Sequence, residues 1–204
     1  MPKKPTGKIG FLRISSQGIR FIKTNFPSKK EEIEKLIVER FVDKINSGPK
    51  KLIDKFEQNQ ENDFDFTLYQ GSTKKYLELM EIVPSEGGYF ISSKFYKDLE
   101  IAQYIVSKIK KNKSDRYDGN VDLLIYPTDY KFYLSELSLQ ILGYLIKKSN
   151  LKFGGIFYFA LIDDKEGNLV LLYPRDYGEV EINKYKDNIT FNLDPEDWKP
   201  FSGS

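Results

Sequence analysis

Residues 63–83 constrain the fold more than any other segment, because apolar and polar side chains alternate in two runs separated by Gly71-Ser72. Successive side chains of a β-strand point to opposite faces of the sheet. Gly71-Ser72 suits the two-residue turn of a β-hairpin, in which the glycine supplies a positive φ. Counting outward from this turn pairs Gln70 with Thr73. The segment therefore predicts an antiparallel hairpin with one apolar face.

The same register places two acids opposite each other on the second face. It pairs Asp65 with Glu78, and on the apolar face it pairs Phe66 with Leu77 and Phe64 with Leu79. Like charges at directly opposed positions destabilise a sheet unless something compensates them. A divalent cation would do so. Alternatively, this face is the solvated side of an antiparallel pair, where the charges separate into water.

A third acid lies on the first predicted helix. Residues 28–46 carry apolar residues at helical spacing, and Glu34 falls inside that apolar stripe. An acid directed toward a core needs a partner, since burying an unpaired carboxylate is costly. Because Glu34 lies near the helix start, its side chain could also reach water around the helix end. Both interpretations stay open from the sequence.

The order of these elements resembles the PD-(D/E)xK restriction-endonuclease-like superfamily over roughly residues 28–126. The shared pattern is a helix with a Glu, an Asp on one strand, a Glu on the next, then a helix and a further strand. The resemblance implies that Asp65, or else Asp63, acts with Glu78 and Glu34 as ligands of Mg²⁺ or Mn²⁺. It also implies hydrolysis of DNA phosphodiesters at that cation.

Three features depart from the family pattern. Met80 occupies the position of the motif lysine, so either another lysine replaces it or catalysis is lost. The candidates are Lys113, which lies in line with the apolar face of its helix, and Lys75, which this register puts on the face opposite Glu78. The Gln-x-x-x-Tyr motif of the RecB-like subset is met by Gln103 but has Ser107 at the tyrosine position. No clear strand is predicted between the first helix and Asp63.

The rest of the chain predicts a single α/β domain over residues 1–201, with a mixed β-sheet flanked by helices and a restriction-endonuclease-like core. A helix is predicted from Ser92 to about residue 112 and another from Leu134 to Ser149. Strand, helix, strand, helix, strand implies parallel neighbours. The remaining predicted segments are strands at 121–126, 153–162 and 168–173, a core at 28–173, an N-terminal hairpin at 9–23, an irregular C-terminal extension at 174–201 and an expression-vector remnant at 202–204.

Composition excludes several chemistries. The chain has no Cys and no His, which excludes His-dependent triads, two-His zinc motifs and the HNH type of nuclease. Any hydrolysis must use carboxylates, Lys, Tyr or a metal ion. The lack of cysteine and of a long apolar run predicts a cytoplasmic protein without a membrane partner.

Charge adds one candidate surface. The net charge of +2 is too small to indicate nucleic-acid binding by itself, but Lys108, Lys110, Lys111 and Arg116 cluster near a predicted helix end. These cations either contact phosphates, which would make binding sensitive to salt, or form a solvated surface.

The sequence thus predicts a divergent, metal-dependent nuclease-like domain acting on DNA, with Asp65, Glu78 and Lys113 as catalytic residues. The alternative is a catalytically inactive module that binds nucleic acid, a protein partner or a second copy of itself, in a setting such as phage defence or toxin immunity. The missing motif lysine favours this alternative, and the opposed acids favour the enzyme.

Overall fold

The computed structural model describes residues 10–15, 18–59, 64–82, 95–113, 117, 119–163 and 165–191. Asp63, Arg116 and residues 192–204 lie outside this part of the chain, as does the side chain of Lys113. None of the helices in the described ranges is long and apolar enough to cross a membrane.

Three α-helices, one six-stranded sheet and two two-stranded sheets make up the regular structure of the described residues. The helices are α1 (Lys30–Asn46), α2 (Asp98–Lys113) and α3 (Glu136–Lys148). The strands, in chain order, are β1 (Gly10–Ser15), β2 (Gly18–Lys23), β3 (Lys55–Gln58), β4 (Phe66–Gln70), β5 (Thr73–Ile82), β6 (Phe95–Lys97), β7 (Val121–Pro127), β8 (Ile156–Leu161), β9 (Gly167–Tyr173) and β10 (Ile189–Phe191).

The main sheet is mixed, as predicted. Its six strands lie in the order β3-β4-β5-β7-β8-β9. The β3-β4-β5 segment is an antiparallel meander, β5 pairs with β7 and β7 with β8 in parallel, and β9 returns antiparallel to β8. The helices α2 and α3 connect the parallel strands. The strands β1 and β2 form a separate antiparallel hairpin, which confirms the predicted N-terminal hairpin.

Each face of the main sheet covers its own hydrophobic core. On one face α1 packs through a stripe that includes Ile33, Ile37 and Phe41, and this core also contains Leu77 and Leu79 of β5. The opposite core, beneath α2 and α3, takes alternate residues of the parallel strands such as Leu123, Ile125 and Tyr158. The alternation of β5 therefore sends its odd-numbered residues toward α1 and its even-numbered residues toward α2 and α3.

The hairpin register from Phe66 to Thr73 is confirmed. Phe66 pairs with Leu77 and Gln70 with Thr73, and Gly71 has φ +57° in the turn. The predicted pairing of Phe64 with Leu79 is wrong, because the β4 ladder begins at Phe66. The Phe64 ring instead stacks on Tyr76, with ring centroids 4.3 Å apart, against the core beneath α2 and α3.

Three predicted boundaries also change. The strand β3 fills the gap that the sequence left between the first helix and Asp63, and it pairs with β4. The helix predicted from Ser92 begins only at Asp98, because residues 95–97 form β6. Residues 189–191 are not irregular, since β10 pairs with β6. Pairing between Lys97 and Ile189 and between Phe95 and Phe191 joins residues that are distant in the chain and leaves no local periodicity in the sequence, which is why β6 and β10 were missed.

Candidate acidic site

The strand order brings acidic side chains from α1, the start of β4 and the end of β5 to one face of the sheet. Glu34 lies on α1 and is 8% exposed. Its carboxylate is 3.2 Å from the ammonium of Lys30, one helical turn earlier. Burial raises the pKa of the Glu34 carboxyl; Lys30 only partly offsets this, and the charges of Asp65 and Glu81 raise the pKa further.

Glu81 is the second acid of this group. It is odd-numbered like Leu77 and Leu79, so β5 directs its side chain toward α1, and it pairs across the sheet with Tyr126 of β7. The hydroxyl of Thr128 donates a hydrogen bond to its carboxylate. Burial raises the pKa of the Glu81 carboxyl, although the Thr128 hydrogen bond and the charge of Lys30 oppose that rise.

Asp65 is the third acid and lies where the chain bends just before β4. Its Oδ2 accepts a hydrogen bond of 2.7 Å from the backbone N–H of Leu79 on β5. The charge of Asp65 acts on Lys30, Glu34 and Tyr126. We refer to Glu34, Asp65 and Glu81 as the acidic cluster.

Lys30 supplies the positive charge of the cluster. Partial burial alone would lower the pKa of its ammonium, but the ion pair with Glu34 and the charges of Asp65 and Glu81 raise it above its ordinary value. Lys30 is therefore a protonated cation at neutral pH and cannot act as a general base. Its side chain is 62% exposed, whereas the side chain of Glu34 is 11% exposed, so movement of the ammonium would leave the Glu34 carboxylate without this partner.

Tyr126 is a buried tyrosine next to the acidic cluster. It is 1% exposed, and burial together with the charges of Glu81, Glu34 and Asp65 raises the pKa of its phenol strongly. The phenol is therefore neutral at any pH at which the protein would work. It can offer a hydrogen bond but not a phenolate nucleophile.

Glu78 does not belong to this cluster: the structure does not bring it together with Asp65 and Glu34, the acids with which it was predicted to share one cation. Glu78 is even-numbered, is 3% exposed, and accepts a hydrogen bond of 2.9 Å from the hydroxyl of Tyr117. The Tyr117 ring packs against Phe64 and Phe153 in the core beneath α2 and α3. The physical reason is parity: α1 covers the apolar face of the hairpin, so Glu34 and Glu78 lie on opposite sides of the sheet.

Parity is also the signal that could have identified Glu81 from sequence. It lies two residues beyond Leu79 on the apolar side of the alternation, and an acid at such a position needs a partner just as Glu34 does. Grouping Glu34 with Glu78 requires α1 to cover the face of Glu78, whereas α1 covers the face of Leu77 and Leu79.

The other predicted site residues whose side chains the structure describes lie apart from the acidic cluster. Lys75 shares the α1 face, as its register predicts, but it lies six residues from Glu81, about 20 Å along an extended strand. The placement of the Lys113 side chain is outside the described structure. Lys108, Lys110 and Lys111 lie on α2, with the Lys108 ammonium 5.5 Å from the centre of the Tyr104 ring; their contact with phosphate stays a prediction.

The cluster as it stands does not enclose a metal ion. Within the described ranges no three acidic side chains converge closely enough to ligate one cation. The arrangement therefore provides at most two carboxylates for a common ion, with Lys30 as a competing internal cation.

Comparison with known proteins adds no relative: no protein-family model, curated protein or solved structure matches this chain significantly.

Proposed function

We propose that this chain is a divergent nuclease-like domain that hydrolyses DNA phosphodiesters at a divalent cation bound by the acidic cluster. The observation that carries the proposal is the placement of three acids on one face of the sheet, one on α1, one just before β4 and one near the end of β5, close enough for their charges to act on Lys30. These are the elements on which the restriction-endonuclease-like pattern needs its acids, with Glu81 taking the place of Glu78.

The order of secondary structure supports the same proposal. A helix is followed by a three-stranded antiparallel meander, a second helix and a strand parallel to the third. The strand β3 supplies the element that the sequence pattern lacked. Glu81 also lies near the carboxyl end of two adjacent parallel strands, β5 and β7, where ligand sites of α/β sheets are commonly found. Because one fold hosts many functions, the acids of the site support the proposed function more strongly than the order of secondary structure does.

The donor chemistry of the cluster fits Mg²⁺ or Mn²⁺, which prefer oxygen ligands. The missing third carboxylate does not contradict this, since Mg²⁺ usually binds through one or two carboxylates and completes its shell with waters and substrate phosphate oxygens. Asp65 and Glu81 are the proposed protein ligands. A bound cation would lower the pKa of a coordinated water and polarise the phosphate.

Two residues of the chain have further proposed roles. Glu34, whose carboxyl has a raised pKa, is the proposed proton acceptor for the attacking water, because a raised pKa makes a carboxylate a stronger base. Lys30 replaces the motif lysine that is absent at Met80, because its exposed ammonium lies within reach of the same acids and can stabilise negative charge on a phosphate oxygen.

A DNA cleavage assay tests this assignment. Supercoiled plasmid is incubated with the purified protein and Mg²⁺ or Mn²⁺, and nicking is followed over time. We expect Glu81→Gln and Asp65→Asn to reduce the rate about 100-fold or more, in line with the loss of a key electrostatic group. Glu32→Gln is the matched control, since Glu32 lies on the exposed side of the same helix as Glu34, and it should cleave normally.

Glu78→Gln separates the structural assignment from the sequence prediction. We expect this variant to retain cleavage once its stability is accounted for, because Glu78 faces Tyr117 on the other side of the sheet. Equal loss of activity in Glu78→Gln and Glu81→Gln would contradict the assignment of Glu81.

Thermal melting gives an independent measurement of cation binding. At a hundredfold excess of free cation over Kd, binding to the folded state alone stabilises a protein by about 2.7 kcal/mol. For a chain of this size that corresponds to a rise of about 5–10 °C in Tm. We expect Mn²⁺ to raise the Tm of the wild type and of Glu32→Gln, but not of Glu81→Gln.

The second candidate function is a catalytically silent binding module. Met80 at the lysine position and the absence of three converging acids within the described ranges favour it. In that case no nucleic acid is cleaved with either metal, and Mn²⁺ leaves Tm unchanged. Together these two negative results would refute the nuclease proposal and leave binding as the function to pursue.

A further inference from the structure

A cavity lies under the C-terminal half of α1, beside Phe41 and Ile45 and far from the acidic cluster. It has a volume of about 350 Å³. Lys75, at its rim, is about 20 Å along β5 from Glu81. Its apolar wall comes from α1, the segment before β3, β4 and β8, namely Phe41, Ile45, Leu52, Ile53, Leu68 and Phe157. We call this cavity the α1 pocket.

The size of the α1 pocket limits its occupant. Small-molecule sites usually measure about 300–1,000 Å³ and are mostly apolar with a few placed polar groups. The α1 pocket is at the small end of this range, which fits a ligand of amino-acid size. Phe41 and Phe157 meet edge to face, with ring centroids 5.4 Å apart, and give the wall an aromatic surface.

Asp122 is the fixed acid of this pocket. Burial raises the pKa of its carboxyl, and the N–H of Gly155 donates a hydrogen bond that holds the carboxylate. A Cβ on Gly154 or on Gly155 would lie 3.0 Å from Asp122 Oδ1. A Cβ on Gly155 would also lie 2.9 Å from the Phe157 ring. The glycine pair therefore lets a carboxylate and an aromatic wall approach the same stretch of backbone.

Lys75 is the only basic residue among those that line the α1 pocket in the described structure. It is exposed to solvent at the rim, and its charge acts on the Asp122 carboxyl. The charged groups of the lining are thus one negative and one positive, with no net charge, and Tyr69 and Gln70 add uncharged polar groups. An occupant that carries both charges at one end of an apolar body can pair with both groups, whereas a simple cation or anion pairs with one and repels the other.

We propose that the α1 pocket binds a small zwitterionic molecule with an apolar body, of the class of the apolar α-amino acids. The ammonium group pairs with Asp122 and the carboxylate with Lys75, while the side chain lies against Phe41, Phe157 and their apolar neighbours. This site is separate from the acidic cluster and does not depend on the nuclease proposal.

Three probes with the same phenyl ring test the charge argument. L-phenylalanine carries both charges, phenethylamine only the positive one and 3-phenylpropionate only the negative one. Calorimetric titration of the intact protein should show L-phenylalanine binding at least about tenfold more tightly than either other probe, the effect expected for one charge-assisted hydrogen bond. Equal binding of all three, preference for a singly charged probe, or no binding of L-phenylalanine would overturn the proposal.

Variants locate the site. Lys75→Met and Asp122→Asn should each weaken L-phenylalanine binding about tenfold. Lys35→Met is the control, because Lys35 is an exposed lysine of α1 outside the pocket lining, and it should bind as the wild type does. Lys75 is exposed, so Lys75→Met decides the question even if Asp122→Asn fails to fold. Unchanged binding in Lys75→Met would refute the assigned contact.

Discussion

Asp98, the first residue of α2, gives the sharpest quantitative prediction about this fold. It is 0% exposed. Its carboxylate accepts hydrogen bonds from Ser135 at 2.6 Å, Asn188 at 2.6 Å, Thr190 at 2.8 Å and Ser138. Its backbone N–H also donates to the carbonyl of Asn188 at 3.1 Å. One side chain therefore ties the start of α2 to the start of α3 and to the strand β10.

Asp98→Ala should remove this junction at a large cost. A hydrogen bond to a charged group contributes about 1.5–3 kcal/mol, so four independent bonds would exceed 6 kcal/mol. They share one acceptor, however, and contributions within one network do not add. Breaking a buried charged network typically costs about 3–5 kcal/mol. At 2–4 °C per kcal/mol, this predicts a fall in Tm of about 6–20 °C.

The measurement is urea denaturation combined with hydrogen exchange. We expect Asp98→Ala to lower the free energy of unfolding by the amount above and to speed amide exchange in β10 before the main sheet exchanges. Asp187→Asn is the matched control: Asp187 is exposed and contacts Lys97 at 3.4 Å, so its loss should change stability by less than about 0.5 kcal/mol. If Asp98→Ala were as stable as this control, or β10 stayed protected, the network would not hold the C-terminal segment.

Three further predictions follow, two from the shifted pKa values of acids and one from the close packing of a glycine. Four hydrogen bonds outweigh burial and lower the pKa of the Asp98 carboxyl below 3.8, so its contribution to stability is present above that pH and is lost as pH falls through the folded value; an acid titration of the wild type against Asp98→Asn measures it. The pKa of Glu81 is raised above 4.5, so its contribution is present below that pH and lost as pH rises through the folded value; Glu81→Gln should melt higher than the wild type at pH 7, with the difference vanishing near pH 4. Gly143→Ala should lower the free energy of unfolding by about 1–3 kcal/mol in urea denaturation, because its Cβ would lie 2.2 Å from the Tyr177 ring.

Local patterns in the sequence predicted the hairpin well. Gly71 permits the positive φ of the turn, and the alternation on each side leaves a single register in which Phe66 meets Leu77. The parallel order of β5, β7 and β8 also followed from the alternation of helices and strands. These features were predictable because neighbouring residues alone determine them.

The composition of the candidate site was only half predictable. Helical spacing placed Glu34 inside the apolar stripe of α1 but left open whether its carboxylate is buried or reaches water, and the structure buries it. Asp65 lies next to β5, as the hairpin predicts. Glu78 and Glu81 are both acids of β5, and the alternation of the strand places them on opposite faces of the sheet. The choice between them depends on which face of the hairpin α1 covers, and the packing of the whole sheet decides that.

Lys30 and Asp122 illustrate the same limit. In the sequence, nothing distinguishes Lys30 from other surface lysines. In the structure, α1 lies beside β5, and the charges of Asp65 and Glu81 raise the pKa of the Lys30 ammonium. In the sequence, Asp122 is a polar residue within a buried strand. In the structure, the backbone of Gly154 and Gly155 lies close to its carboxylate. Both acquire their environment from residues distant in the chain.

The sequence by itself determined the strand periodicities, the turn at Gly71, the chemistry available without His or Cys, and a mixed α/β sheet. Only the tertiary structure decided that Glu81 rather than Glu78 meets Glu34, and that β10 returns to pair with β6. The physical reason is that a side chain's face is fixed by its own strand, whereas what covers that face is fixed by segments many residues away, whose docking maximises buried apolar surface across the whole domain.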